Sequence, residues 1–410
     1  ILVELNELNF KYVTKYFKNL KLDTLQKINN KLINTVSESE QELLEPWIQW
    51  HSIHTGYGAK DHGIFRLGDV INSTKKQIFE ELEQEKLKIG SISAMNTINN
   101  LENPSYFIPD PWTETQSDNN YFSKIITEVL RDTVNNNASG KFKFKNYFNL
   151  ILIFFKFVRV KKYKFFLKFI INSLFGKWRK ALFLDLLIHE IHLNLLKTHN
   201  PNFSCVFFNA GAHIQHHYLL NSLANEKSFK NPEKVLKQQE DPFKEMLIVY
   251  DQVLEDYIDN HKNIIIATGL TQKIINQPHF YYRLINHEEF LKKLDVSFLK
   301  VEPRMSRDFL IKFSNNNDRD EAYEILNKIR LNDKVFFGTL ASRDKSIFAT
   351  LTYGNEIQKN DFVYSGEKKI NIFSETVFVA LKNGEHDGHG YLFATGEILK
   401  KFDSAKNIKI

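Results

Sequence analysis

The sequence predicts an α/β protein built on a mostly parallel sheet with helices on both faces. Short apolar runs of strand length recur along the chain, and stretches with a helical period separate them. Apolar residues make up 42% of the 410 and charged residues 25%, the balance of a globular chain. Residues 1–5 read as a strand that ends at Asn6-Glu7, and a helical period follows over residues 10–33. Glu45 heads a second helix through residues 48–53, which Gly56 and Gly58 end. Further strands are expected at residues 88–92, 205–208, 264–267 and 391–394, and helices at 75–85, 241–261 and 320–329. In such sheets ligands sit beyond the carboxyl ends of the strands, so chemistry is sought just after each one. No internal repeat and no glycine-rich phosphate loop is visible.

The net charge of +6 comes from one place. Residues 133–184 hold twelve Lys and Arg and no Asp or Glu, so the remainder carries −6. Within this stretch, residues 141–180 interleave the cations with thirteen aromatic residues. Its uncharged runs fall short of the roughly 20 residues that span a bilayer. The pattern suits a helix lying on an anionic membrane surface; the alternative is a helical lid packed on the sheet with its lysines in water. Nucleic acid fits less well, because the rest of the chain is acidic and shows no recognition module. The expected organisation is therefore core over 1–133, basic insertion or lid over 134–184, and core again over 185–410. Cys205 lies in an apolar run and reads as a packed thiol, so nothing points to an oxidising compartment. No secretory pattern opens the chain, which favours the cytoplasm, if need be on the inner face of the membrane. The first residue is not Met, which fits the loss of an upstream piece.

Several residue types invite chemistry. His213 and His216 are three apart and share a helical face. With His386 as a third ligand and Glu7 as a carboxylate partner, they would hold one divalent metal, zinc or similar, with a position left for water or substrate. The alternative is that these histidines bond backbone groups near strand ends. Glu45 at a helix start reads as a base, a ligand or a cap. His51 and His54 share a face and can donate to a substrate oxygen, although Trp50 and Ile53 mark part of that helix as core. Arg304 and Arg307 suit a phosphate clamp, or in Arg307 an ion pair with Asp308. Trp112, in a rigid aromatic turn, can wall a sugar or base pocket.

Four stretches, in order, carry a family pattern. They are the strand leading to Leu5-Asn6-Glu7-Leu8; Glu45 to Gly56 followed by His62-Gly63-Ile64; Asn209 to Tyr218; and Gly384 to Ala394, with His386 and Gly388 before an apolar strand. Together the chain resembles the alkaline phosphatase and type I phosphodiesterase superfamily over most of its length, the basic insertion excepted. The resemblance implies that superfamily's fold and phosphate-ester chemistry, with Asn6, Glu7, Glu45, His54 and His216 at the reacting centre. It also implies the departures. Asn6 stands where a metal-binding Asp is expected, Pro46 where the nucleophilic hydroxyl is, Ala212 where the Asp of the Asp-x-x-x-His pair is, and Thr268-Gly269 where an Asp-His pair is. Only His216 and His386 remain in register, so a two-zinc site with a Thr nucleophile is not expected. The expectation is a hydrolase or phosphoryl transferase for a nucleotide-, lipid- or glycan-linked substrate, in a setting such as surface polysaccharide metabolism. The rivals are a binding protein descended from that fold, and a metal-free transferase with Glu45 or His216 as base.

Overall fold

A computed structural model describes residues 1–135, 143–176, 178–303, 307–402 and 408–409. The chain folds into two compact units, one of residues 1–274 with 384–410 and the other of residues 275–383.

The first unit begins with β1 (Leu2–Leu5), followed by α1 (Phe10–Val13), α2 (Asp23–Asn29) and β2 (Ile33–Val36). Next come α3 (Pro46–Thr55), α4 (Ala59–His62), α5 (Ile78–Gln84), β3 (Ile89–Ile92) and β4 (Tyr106–Ile108). A helical stretch follows, with α6 (Tyr121–Asn135), α7 (Phe144–Phe157), α8 (Tyr163–Ser173) and α9 (Trp178–His199). Then β5 (Phe203–Phe208), α10 (Ala210–Tyr218), α11 (Pro242–Asn260) and β6 (Ile265–Ala267) lead to β7 (Thr271–Leu284), along which the chain enters the second unit.

That unit contains α12 (His287–Lys293), β8 (Lys300–Pro303), β9 (Asp308–Lys312), α13 (Asn316–Lys328), β10 (Arg330–Leu331) and β11 (Lys334–Val335). It continues through β12 (Phe337–Arg343), β13 (Ser346–Leu351), β14 (Phe362–Ser365), β15 (Lys368–Asn371) and α14 (Ile372–Glu375). The antiparallel sheet β12-β13-β9-β8 closes over a core of its own, with Phe290, Phe309, Phe336, Phe337 and Ile347 at its centre. The chain leaves along β16 (Thr376–Asp387), which pairs with β7. It ends with β17 (His389–Ala394), α15 (Gly396–Phe402) and β18 (Ile408–Lys409).

The main sheet runs β18-β2-β17-β6-β1-β5-β3-β4. Every described pairing in it is parallel except those of β17 with β2 and β6, so the predicted mostly parallel α/β sheet is what forms. Side chains of successive strand residues take opposite faces. Val3 and Leu5 of β1, with Val206 and Phe208 of β5, join the large core packed with α7 to α11. Leu2, Cys205 and Phe207 face the other way, towards Phe79 of α5 and Trp50 of α3. Cys205 is a buried free thiol.

The structure differs from these expectations in two places, over residues 10–33 and 275–383. The helix expected over 10–33 is broken, because residues Thr14–Tyr16 tighten into a 3₁₀ turn and Asp23 starts a new helix. Over 134–184, expected as an insertion or a lid packed on the sheet, the described helices pack one side against the core. Ile153, Phe157, Phe166, Phe169 and Trp178 belong to the core of the first unit, and only the opposite side of α7 and α8 meets solvent. Residues 275–383, read as continuous core, form a separate unit. Among the described residues, no helix is long and apolar enough to cross a membrane.

Candidate functional site

The carboxyl ends of β1, β5 and β6 bring the candidate residues together. At the end of β1 the Asn6 amide donates to the carbonyl of Phe208 (3.0 Å), and the Glu7 amide to that of Thr268 (3.1 Å). Between them the chain turns out of the sheet, with Glu7 in the left-handed region at φ 61°. For a residue with a side chain this costs about 1–2 kcal/mol, a strain that neighbours must hold in place and that tends to gather at functional sites. The Glu7 carboxylate is thereby swung into the space beyond the strand ends, where it is 2% exposed.

Two histidines meet it there. His216, in the last turn of α10, places Nε2 3.0 Å from Glu7 Oε2. His386, near the end of β16, places Nε2 3.4 Å from the same oxygen without a hydrogen bond, and that buried nitrogen has no hydrogen-bond partner. The two rings meet edge to face at 5.2 Å between centres. Behind His386, its Nδ1 lies 3.5 Å from Glu45 Oε2. Glu45 is the first residue before α3, yet its side chain caps no helix amide, so the cap reading gives way to a partner of His386.

Burial alone would raise the Glu7 carboxyl, but the neighbouring rings of His216 and His386 hold it well below the usual carboxylate range. Burial likewise works against the charge on His386, yet Glu7 and then Glu45 lift its ring to about 9. In the free protein the site is therefore an ionised carboxylate facing an imidazolium.

Amide side chains fix this arrangement. Asn6 Nδ2 donates to Glu7 Oε1 (3.2 Å) and to Asn209 Oδ1 (2.8 Å), and Asn6 Oδ1 accepts from the Trp50 indole (2.8 Å). Gln215 Nε2 donates to the Glu7 carbonyl at 2.8 Å, which anchors the strained residue to α10. Gln272 Nε2 donates to Glu7 Oε2 and to the carbonyl of Ala212. Thr268 contributes through its backbone to Glu7 and through its hydroxyl to the Tyr391 amide (2.9 Å). At Gly269, φ is +67° and a Cβ would lie 3.3 Å from the Trp50 ring, so this turn is read by a glycine for steric reasons. Sequence reading missed Asn209, Gln215 and Gln272. Each follows a strand end or lies on a site helix, but an amide without charge gives no signal in a single sequence.

Other sequence candidates do not reach this group. His54 is 1% exposed and bonds Glu4 Oε1 at 2.6 Å through Nε2, with Thr97 on its other nitrogen (3.3 Å), in the core beneath the site. His51 is equally buried, shares a hydrogen bond with Ser73 (3.0 Å), and packs on His62. Burial, then the neighbouring His62 and His54, push its ring down to about 3, so it is neutral and faces no ligand. Both lie inside because α3 is clasped between the sheet and α5. His213 packs its ring on His217, 4.8 Å between centres, instead of joining Glu7: a helix puts residue i beside i+4 as readily as beside i+3. Burial lowers its ring to about 4. Trp112 is half-buried against Trp50, Met95 and Phe207 and completes a core cluster. Its turn is pinned by Asp110, which accepts from the amides of Asn96, Trp112 and Thr113. Arg307 belongs to the second unit, where its guanidinium lies 4.0 Å over the Tyr281 ring and not against a carboxylate partner named from sequence. Arg304 lies outside the described residues.

No protein-family model matches the chain, and no curated protein sequence does. Solved structures do show a likeness. Phosphonoacetate hydrolase from Sinorhizobium meliloti 1021, in complex with phosphonoformate, has a TM-score of 0.42 at 9% identity, covering 96% of this chain and 88% of that one. Human ectonucleotide pyrophosphatase/phosphodiesterase 5 has a TM-score of 0.40 at 11% identity, covering 97% and 87%. The alkaline phosphatase PafA has a TM-score of 0.39 at 8% identity, covering 96% and 90%.

Proposed function

We propose that the first unit binds one divalent metal on Glu7, His216 and His386 and uses the cleft for phosphate-ester hydrolysis or phosphoryl transfer. The observation that carries this is the donor set itself. One atom from each of the three residues lies within 4.8 Å of the others, and the buried Nε2 of His386 points at the group with no hydrogen bond of its own. Two imidazoles and one carboxylate, with an open position, are the pattern of a catalytic zinc site. Glu7 supplies the carboxylate that Ala212 cannot. A bound metal would polarise a phosphoryl oxygen and lower the pKa of a water in the open position.

The remaining residues have definable work. Asn6 and Gln272 hydrogen-bond the Glu7 carboxylate and so would hold it in one orientation towards a metal. Glu45, with His386 between it and Glu7, is the nearest candidate to accept a proton from an attacking water or hydroxyl. Pro46 has no hydroxyl, so no covalent intermediate is proposed at that position, and attack by water or an acceptor hydroxyl is favoured over a two-step route. His54, His51 and Trp112 pack in the core and have no part in the proposed chemistry. A nucleotide-, lipid- or glycan-linked phosphate ester remains the proposed substrate class, and surface polysaccharide metabolism a proposed setting.

A second reading has its own support. In that reading the chain binds a phosphate-bearing ligand without turnover, in keeping with the absence of a hydroxyl at Pro46. An activated phosphodiester separates the two. With bis(4-nitrophenyl) phosphate and zinc or manganese, the first reading expects turnover that a chelator removes and that His386→Ala lowers by at least about 100-fold. Full turnover in excess chelator would overturn it in favour of a metal-free route, and no turnover with any divalent metal while phosphate still binds would overturn it in favour of the second.

A further inference from the structure

The two helices of the basic segment bury apolar residues on one side and leave a second apolar stripe in solvent. On α7 the inward positions include polar ones: Asn146 and Asn149 are buried, and Asn146 Nδ2 bonds Asp132 Oδ2 at 2.9 Å. The outward positions carry an apolar stripe beside exposed lysines. Phe144, Phe148, Ile151 and Phe155 recur at steps of three and four, forming one stripe, and are 91%, 60%, 52% and 64% exposed. The next helix repeats the arrangement. Phe166 and Phe169 of α8 enter the core, while Leu167, Ile170, Ile171 and Leu174 face out. A soluble surface scatters single apolar residues; it seldom aligns eight on consecutive helices.

The charges beside this surface are unspent. Arg159 is committed to Glu190 and Asp256, Arg179 to Glu245, and Lys145 to Glu128. Lys143, Lys161, Lys164, Lys168 and Lys180 make no ion pair among the described residues. Lys164 and Lys168 flank Leu167 directly and are exposed with it. An outward apolar stripe edged by free lysines matches a surface that is apolar inside and anionic at its rim.

From this we infer that the outer faces of α7 and α8 seat the first unit on an anionic lipid bilayer, the apolar side chains entering the acyl boundary and the lysines meeting headgroup phosphates. A second copy of the chain is the poorer occupant, since a two-fold contact through this patch would set the same unpaired cations against each other. The inference stands on these two helices and not on the chemistry of Glu7, His216 and His386, and chelator in every sample keeps the two separate.

Co-sedimentation with vesicles decides it. The full chain is mixed with phosphatidylcholine vesicles and with vesicles containing about one-third phosphatidylserine, at low salt and at about 0.5 M salt. The expected result is at least about fivefold more protein on the anionic vesicles, lost at high salt. Phe148→Ser with Leu167→Ser, and separately Lys164→Glu with Lys168→Glu, should each lower binding by about tenfold. These side chains face solvent, so unchanged thermal midpoints are expected and confirm folding. No binding to either vesicle overturns the inference, as does equal binding to both. A wild-type chain that self-associates through these residues, with the variants monomeric and vesicle binding unaltered, overturns it in favour of a contact between copies.

Discussion

Glu7 decides how the site behaves, because it is a buried carboxylate held in a strained backbone conformation between two rings. Removing one partner from such a buried ionic group is costly, about 3–5 kcal/mol, since it leaves the other charge uncompensated. Glu7→Gln keeps the volume and removes the charge. In metal-free Glu7→Gln protein, burial then dominates at His386 and its ring should titrate at least about one unit below the wild-type value. Proton-detected NMR of the imidazole measures this, and an unshifted ring would mean that Glu7 does not set its charge. The sign for stability follows from the wild-type value of about 9, above the ordinary 6.5. The contribution of His386 is fully present below pH 6.5 and is lost as pH rises through 9, so metal-free protein should weaken on the alkaline side. Because a metal must displace that proton, its affinity should climb over the same interval.

At the scale of single elements, α3 carries a prediction on the acid side. His51 is buried and neutral with its ring pushed down to about 3, against an ordinary 6.5. Its contribution is present above pH 6.5 and is lost as pH falls from there, by about 1.4 kcal/mol per pH unit. Urea unfolding at a series of pH values should show His51→Gln with a shallower acid dependence than the wild type; an identical slope would exclude His51 as a source. The same helix shows what one sequence can and cannot reveal. Its start at Glu45-Pro46 and its end at Gly56 were legible, since proline suits a first turn and glycine a left-handed end. The direction of its histidines was not, because α3 is apolar and polar on all sides and is enclosed by the sheet and α5. On α7 the reverse held: alternating lysines and aromatics told of an unusual surface, but not that Asn146 and Asn149 would be the residues turned inward. His216 and His386 lie beside Glu7 near strand ends, where chemistry is sought in such sheets, whereas His213, three residues from His216, packs against His217.

For the whole molecule, two units with separate cores predict two melting transitions. Scanning calorimetry of the full chain should resolve them, and zinc at about 100 times its dissociation constant should stabilise the first unit by about 2.7 kcal/mol and leave the second unmoved. A single transition raised as a whole would mean that the units unfold together. The second unit was not legible from sequence. Its strands are short, several alternate exposed residues along their length, and β12 shows solvent at most positions, so no apolar run announced a boundary near residue 275. The main sheet was legible because β1, β5 and β6 are nearly continuous apolar runs, as strands covered on both faces must be. The central claim, one metal on one carboxylate and two histidines of the first unit, is open to a direct measurement. Chelator-stripped protein is titrated with zinc by calorimetry, beside Glu7→Gln and His386→Ala. The account predicts one ion per chain for the wild type and affinity lower by at least about tenfold in each variant. Binding of no ion by the folded wild type, or equal binding by all three proteins, would contradict it.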